Sequence, residues 1–123
     1  MITEIAFSGY PVTDLARSRK FYEGVLGLKI SPAFPVTEES SWIEYDLGGA
    51  TFGLGAYPMW KPSPDGGMVA FEVDDFDQSV ADLKKAGVAF TMEPMETPVC
   101  HLAILRDPDN NAVMIHKRKP GRN

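Results

Sequence analysis

The chain carries a single cysteine, Cys100, in 123 residues. One thiol excludes an internal disulfide and fits a reducing compartment. No apolar run approaches the roughly 20 residues that a membrane-spanning helix needs. Met1–Tyr10 lacks the charged-then-apolar layout of a secretory signal, so a cytoplasmic location is expected. Positive charge is also short. Twelve Lys and Arg stand against 17 Asp and Glu, for a formal net charge of −5, and the pI is about 4.9. That balance argues against nucleic acid or an anionic membrane as partner and is weakly compatible with a cationic ligand. Apolar content of 44% and charged content of 24% are ordinary for a soluble globular protein. A chain of this length buries roughly two thirds of its unfolded surface, enough to fold without staples.

What is present is organised around Asp107-Pro108-Asp109-Asn110-Asn111 and the run Ala112-Val113-Met114-Ile115-His116 that follows. Asp-Pro ends the preceding strand, because proline removes a donor and disfavours helix at its predecessor. The Asp-Asn-Asn that follows suits a tight turn, since short polar side chains bond locally and tolerate left-handed backbone. The alternation of Val113 and Ile115 with Ala112, Met114 and His116 predicts a half-buried strand, and so a hairpin over Cys100–Lys117. Landmarks elsewhere repeat at one spacing: Asp14 and Asp75, Ser18 and Ser79, and Asp46 and Asp107 all lie 61 residues apart. Two copies of one unit are predicted, each a strand, a helix and three strands.

In the first copy Thr3–Val12 reads as extended, and Asp14 as the N-cap of a helix whose stripe runs Leu15, Ser18, Phe21 or Tyr22, Val25 and Leu26. Gly27 stands where a helix C-terminus favours glycine. Strands are predicted over Leu28–Phe34, Trp42–Leu47 and Ala50–Tyr57, the last two joined by Gly48-Gly49. The segment Pro58–Gly67, with three prolines and two glycines in ten residues, reads as a linker. In the second copy Met68–Val73 is a strand, Asp77–Ala86 a helix stopped by Gly87, and Val88–Met92, Val99–Arg106 and Ala112–Lys117 are strands. The organisation is then a first module over 1–57, a linker over 58–67, a second module over 68–118 and a basic tail over 119–123, the tail read as a solvated terminus.

The chain resembles the vicinal oxygen chelate superfamily of glyoxalases, bleomycin- and fosfomycin-resistance proteins and extradiol dioxygenases. The resembling text is Pro11-Val12-Thr13-Asp14 through Arg17-Ser18 to Phe21-Tyr22-Glu23 and Leu26-Gly27-Leu28. It continues with Phe71-Glu72-Val73-Asp74-Asp75, Leu83 to Gly87-Val88, and Asp107-Pro108-Asp109-Asn110-Asn111, where Asn110 replaces the family's usual Gly. The resemblance implies an α+β fold of two tandem βαβββ modules whose mixed, curved sheets form a cup around a ligand. Metal-binding members place ligands at positions that correspond here to Phe7, Gly53, Met68 and Met114. Phenylalanine and glycine offer no ligand atom, and a thioether is unsuited to hard divalent ions. The inherited metal site is therefore expected to be absent and no cofactor is expected. The resemblance then implies a bleomycin-resistance-like protein that binds a small molecule.

If Phe7 and Met68 face inward, alternation brings Gly9, Ala70 and Glu72 with them, and Gly53, Gly55, Tyr57, Ala112, Met114 and His116 on the closing strands. Trp42 and Glu44 then also face inward, and the repeat spacing places His101, Ala103 and Leu105 beside them. The expected ligand-binding set is Phe7, Trp42, Glu44, Tyr57, Trp60, Met68, Glu72, His101, Met114 and His116, an aromatic and thioether lining with few ionisable groups. Each has a plainer alternative. Trp42, Phe7, Met68 and Met114 also suit a core, and Glu72 and Glu44 a solvated rim. His101 and His116 suit a general base, a relocated metal ligand, or strand edges facing water. Trp60, in the linker, suits a pocket cap or a subunit interface. Cys100 reads as a buried, inert thiol.

The leading expectation is metal-free binding of a small aromatic or amphipathic molecule. The alternatives are a glyoxalase-like lyase or ring-cleaving dioxygenase with a displaced metal site built from Glu72, His101 and His116, and a purely dimeric scaffold. Catalytic candidates are Glu72, His101 and His116. A homodimer is expected, because the sheet face carrying Phe7, Trp42, Met68, Leu105 and Met114 is too apolar to be left widely in water and strand edges remain to be covered. Light scattering at micromolar concentration should return about twice the chain mass of 13.5 kDa; a monomer across that range would refute the expectation.

Overall fold

The computed structural model describes residues 1–33 and 35–121. They form two compact units, Met1–Pro62 and Ser63–Asn123, divided within the Pro- and Gly-rich segment. Phe34 and the tail residues Arg122 and Asn123 lie outside the described residues. Among the described residues no helix is long and apolar enough to cross a membrane.

Unit 1 contains β1 (Ser8–Pro11), α1 (Leu15–Arg19) continued by a π-helical segment over Lys20–Val25, β2 (Trp42–Leu47) and β3 (Ala50–Gly55). The sheet order is β1-β3-β2, with β1 parallel and β2 antiparallel to β3. Asp14 caps the helix by accepting the Arg17 N–H at 3.1 Å. Past the π-helical segment, the Leu26 and Leu28 N–H groups close back on Phe21 and Tyr22 carbonyls at 2.9 Å, and Gly27 takes φ +78°. One face of the sheet is buried, with Tyr10, Ile43, Tyr45, Phe52 and Leu54 against Phe21 and Tyr22 of the helix. The rings interlock: Tyr22 and Tyr10 have centroids 5.4 and 5.7 Å from Phe52. Such pairs each contribute about 0.5–1.5 kcal/mol beyond their burial.

Of the strand expected over Leu28–Phe34, the described residues form a single antiparallel bridge, Ile30 to Tyr45. The Ser31 N–H still reaches the Glu44 carbonyl at 2.9 Å. Pro32 and Ala33 then turn, and no further rung on β2 forms among the described residues.

Unit 2 is the fuller copy: β4 (Val69–Glu72), α2 (Phe76–Lys85), β5 (Phe90–Glu96), β6 (Cys100–Arg106) and β7 (Ala112–Arg118). The order is β4-β7-β6-β5, with β4 parallel to β7 and the other pairs antiparallel. Asp75 caps α2 through the Gln78 N–H at 3.0 Å, and Gly87 follows the helix at φ +81°. Phe76, Val80 and Leu83 recur at helical spacing and are buried, as are Ala103, Leu105, Val113 and Ile115 of the sheet. β5 runs beyond the expected Val88–Met92 and passes through Pro94, with two register irregularities against β6. A proline is tolerated there because β5 is an outer strand. Lys119, at the start of the tail, pairs with Glu96 rather than standing free.

The two hairpins differ in length. Leu47 pairs with Ala50 across Gly48-Gly49, whereas Arg106 pairs with Ala112 across Asp107–Asn111. As a result Gly55 and His116, 61 residues apart, face Trp42 and Leu102, which are only 60 apart. A one-residue shift exchanges the faces of a strand. His101, Ala103 and Leu105 therefore lie on the helix-covered side of unit 2, and Leu102 and Ile104 take the positions beside His116 and Met114.

Beneath the core of unit 1 the buried Tyr45 hydroxyl donates to Glu23 at 2.9 Å, and Glu23 also receives Arg19 at 2.6 and 3.2 Å. Burial, reinforced by the bond to Glu23, pushes the Tyr45 phenol well above its usual range. The folded state thus holds a neutral phenol where the unfolded chain ionises near pH ~10, so this contribution is lost as pH climbs through that value. Tyr45→Phe should lower unfolding free energy at neutral pH by about 1 kcal/mol. It should also make the loss of stability above pH ~10 less steep, as denaturant titrations across that range would show.

Candidate functional site

On the face of unit 1 away from its helix, three glycines leave the sheet without side chains. Register places Gly9 beside Gly53, and Gly53 and Gly55 beside Glu44 and Trp42. The Trp42 indole lies across this bare strip. A Cβ at Gly53 would sit 2.2 Å from indole Cζ2, and one at Gly55 would meet Trp60 Cζ3 at 2.8 Å and Tyr57 Cε2 at 2.9 Å. Glycine is required there because aromatic rings press directly on the backbone. The indole Nε1–H donates to Glu44 Oε2 at 2.9 Å, which fixes the ring's rotation. Phe7 meets Trp42 edge-on, with centroids 5.2 Å apart at 68°. A turn closed by Trp60 N–H to the Tyr57 carbonyl at 3.0 Å brings Trp60 back over Gly55. Beside these rings is a cleft of about 450 Å³ lined by Val12, Thr13, Tyr57, Pro58, Trp60 and Lys61. Phe7, Tyr57 and Trp60 are 53%, 43% and 37% exposed, a large aromatic surface to leave in water.

The matching face of unit 2 carries different chemistry. Glu72 on β4 is paired in register with His116 on β7, and Glu72 Oε1 lies 2.6 Å from His116 Nδ1. The other carboxylate oxygen accepts the Arg118 backbone N–H at 2.7 Å. Burial pulls the Glu72 carboxyl up, but the Arg118 N–H, the His116 ring and the Arg118 charge outweigh it and hold the carboxyl below its usual value. Met114 shares this face with Ile104, and His116 with Leu102, whose neighbour on β5 is Met95. Met68 precedes β4 and is exposed.

Five of the sequence-predicted residues, Phe7, Trp42, Glu44, Tyr57 and Trp60, thus converge in unit 1. In unit 2 Glu72 and His116 are in contact, and Met114 shares their face. His101 is set apart on the other face, its ring 5.6 Å from Phe76 of α2, so the expected grouping of Glu72, His101 and His116 is not formed. Among the described residues no three His, Cys, Asp or Glu side chains converge to hold a metal ion. Nor do the family's metal positions fit one: at Gly53 the volume of a ligand side chain is filled by Trp42, and Met114 offers only a thioether. Cys100 is buried, its sulfur 3.1 Å from Thr97 Oγ1. Sequence reading missed the seating role of Gly53 and Gly55 and the presence of Leu102 beside His116. The alternate glycines Gly53 and Gly55 on one strand were the available signal for the first.

The family model of the glyoxalase/bleomycin resistance protein/dioxygenase superfamily matches residues 3–115, and the chain belongs to that superfamily. Human mitochondrial methylmalonyl-CoA epimerase is 31% identical over an alignment of 97 residues that covers 69% of this chain and 54% of that protein. The chain thus spans about half the length of this curated relative. Among solved structures, TnmS3, an antibiotic binding protein from Streptomyces sp. CB03234, superposes with a TM-score of 0.77 at 26% identity, covering 96% of this chain and 98% of that one. A glyoxalase/dioxygenase from Nostoc punctiforme has the same TM-score of 0.77 at 19% identity, over 94% and 91% of the two chains.

Gly53→Ala should force the indole off the strand. Overpacking costs about 1–3 kcal/mol in closed cores, and on this half-open face the loss of stability should fall near about 1 kcal/mol. In a Trp60→Phe background the remaining Trp42 emission should change in wavelength or intensity. An unaltered spectrum would show that Trp42 does not rest on Gly53.

Proposed function

We propose that the chain binds a small aromatic or amphipathic molecule against the Trp42 face of unit 1, without the metal common in its superfamily. One observation carries this reading: an indole held flat on bare backbone, fixed in rotation by Glu44 and flanked edge-on by Phe7. A hydrophobic surface of this kind gains little from being ordered unless something stacks on it. A preset ring with its rotation already fixed loses little entropy when a planar ligand arrives. The apolar area offered by Trp42, Phe7, Tyr57 and Trp60 suits a flat ring, and Glu44 gives one charged contact at its margin. The likeness to an antibiotic binding protein agrees with a binding role.

The test is a fluorescence titration with a planar aromatic probe, thioflavin T, with EDTA present throughout. Tryptophan emission should be quenched saturably, and the chelator should leave the affinity unchanged. Trp42→Ala should weaken binding by about 1–3 kcal/mol, the usual cost of losing a buried aromatic anchor. Trp60→Phe serves as the control for emission from the second indole. Equal affinity in Trp42→Ala, or binding abolished by EDTA, would overturn the reading.

A further inference from the structure

Unit 2 holds a pair of side chains that ligand stacking in unit 1 does not use. Glu72 and His116 are direct register partners on parallel strands, joined at 2.6 Å through Oε1 and Nδ1. The tautomer follows from the surroundings. Glu72 is already bound by a donor, the Arg118 N–H, with the Arg118 guanidinium 3.9 Å away. An ionised carboxylate can only accept, so the proton between the two groups resides on His116 Nδ1. In the neutral ring the lone pair is then on Nε2. No other side-chain hydrogen bond to His116 is found among the described residues. The ring remains 24% exposed.

The surrounding groups set the character of the site. From β7 the charged neighbour is Arg118, and from β4 it is Glu72 itself. β6 contributes Leu102 and Ile104 to this face, with Arg106 at its far end bonded to the Pro64 carbonyl at 3.3 Å. β5 adds Met95 beside Leu102. An imidazole whose Nδ1–H is held by a carboxylate, bordered by apolar and thioether groups, directs its Nε2 lone pair to accept a proton. The carboxylate behind it steadies the cation that results.

The geometry points to His116 as a general base, oriented by Glu72 as its positioning residue, for removing an acidic C–H proton from a small apolar molecule at the unit 2 face. In the step, the Nε2 lone pair takes the proton and the C–H electron pair stays with the substrate. The imidazolium formed passes its proton on to water or back to the product. No oxidant, reductant or metal is needed.

A direct probe is 5-nitrobenzisoxazole, whose ring opens when a base removes its C3 proton. The C–H pair becomes part of a nitrile, the N–O bond breaks, and its electrons stay on oxygen as the coloured phenolate of the same molecule. With EDTA present, the protein should open this ring at least about tenfold faster than free imidazole at equal concentration. His116→Gln should remove that excess while melting like the parent. Glu72→Ala should lower it several-fold and, by ¹⁵N NMR of the ring, let His116 populate the Nε2–H tautomer; the parent should show Nδ1–H alone when neutral. The proposal is overturned by a parent rate no higher than that of imidazole, by His116→Gln retaining the rate, or by an Nε2–H ring in the parent. The last readout needs no variant and so does not depend on any substitution folding. A Glu72→Ala protein with unchanged rate and tautomer would remove Glu72 from the mechanism.

Discussion

The Asp107 carboxylate is the constraint on which unit 2 depends. It is almost wholly buried, and such a charge is tolerated only when fully hydrogen-bonded. Its Oδ1 accepts the Asp109 and Asn111 backbone N–H groups at 2.9 and 2.8 Å, and its Oδ2 accepts Asn111 Nδ2 at 2.9 Å. These bonds wind the chain tightly enough that Asn110 must adopt φ +69°, where the short polar side chain of Asn is tolerated. They also hold five residues between Arg106 and Ala112 and so set the register of β6 on β7. Every side chain on that hairpin then has its face assigned. Asn111, itself buried, receives the Ser63 N–H at 3.4 Å, so the same turn anchors the start of unit 2.

Corresponding places in the two copies have taken opposite uses. Pro11 and Gly55 are register partners in unit 1, and Glu72 and His116 are register partners in unit 2. In the first copy Gly55 leaves bare backbone against which the Trp60 and Tyr57 rings lie. In the second the pair presents an imidazole and a carboxylate in contact. Related modules thus present aromatic rings on bare backbone in one copy and an imidazole–carboxylate pair in the other, on sheets that differ in strand number and hairpin register.

Much of the fold was legible because it rests on local chemistry. Asp14 and Asp75 cap their helices, Gly27 and Gly87 terminate them, and β2 has the bounds that alternation predicts. The failures occurred where a longer-range constraint prevailed. The strand expected from Leu28 stopped at one bridge, where the chain turns at Pro32 and Ala33. Pro94 did not end β5, because an outer strand has a side that needs no donors. His101 was placed on the wrong face because the repeat was carried rigidly across hairpins whose registers differ by one residue. Of the site, the residue types and most of their convergence were readable from alternation. The seating of Trp42 on Gly53 was not, since close approach between a ring and a backbone leaves no periodic trace.

The proline in β5 has a consequence for how sheets of this protein can join. An outer strand is a template on which another chain can add a strand and, repeated, build a fibre. On β5 an incoming strand would find Pro94 without a donor and two irregular steps in the ladder, with Glu93 and Glu96 exposed alongside. That border of the unit 2 sheet is closed to templated growth. Any association that extends this sheet must use β4, its other outer strand, whose four residues offer too short a ladder for open-ended stacking.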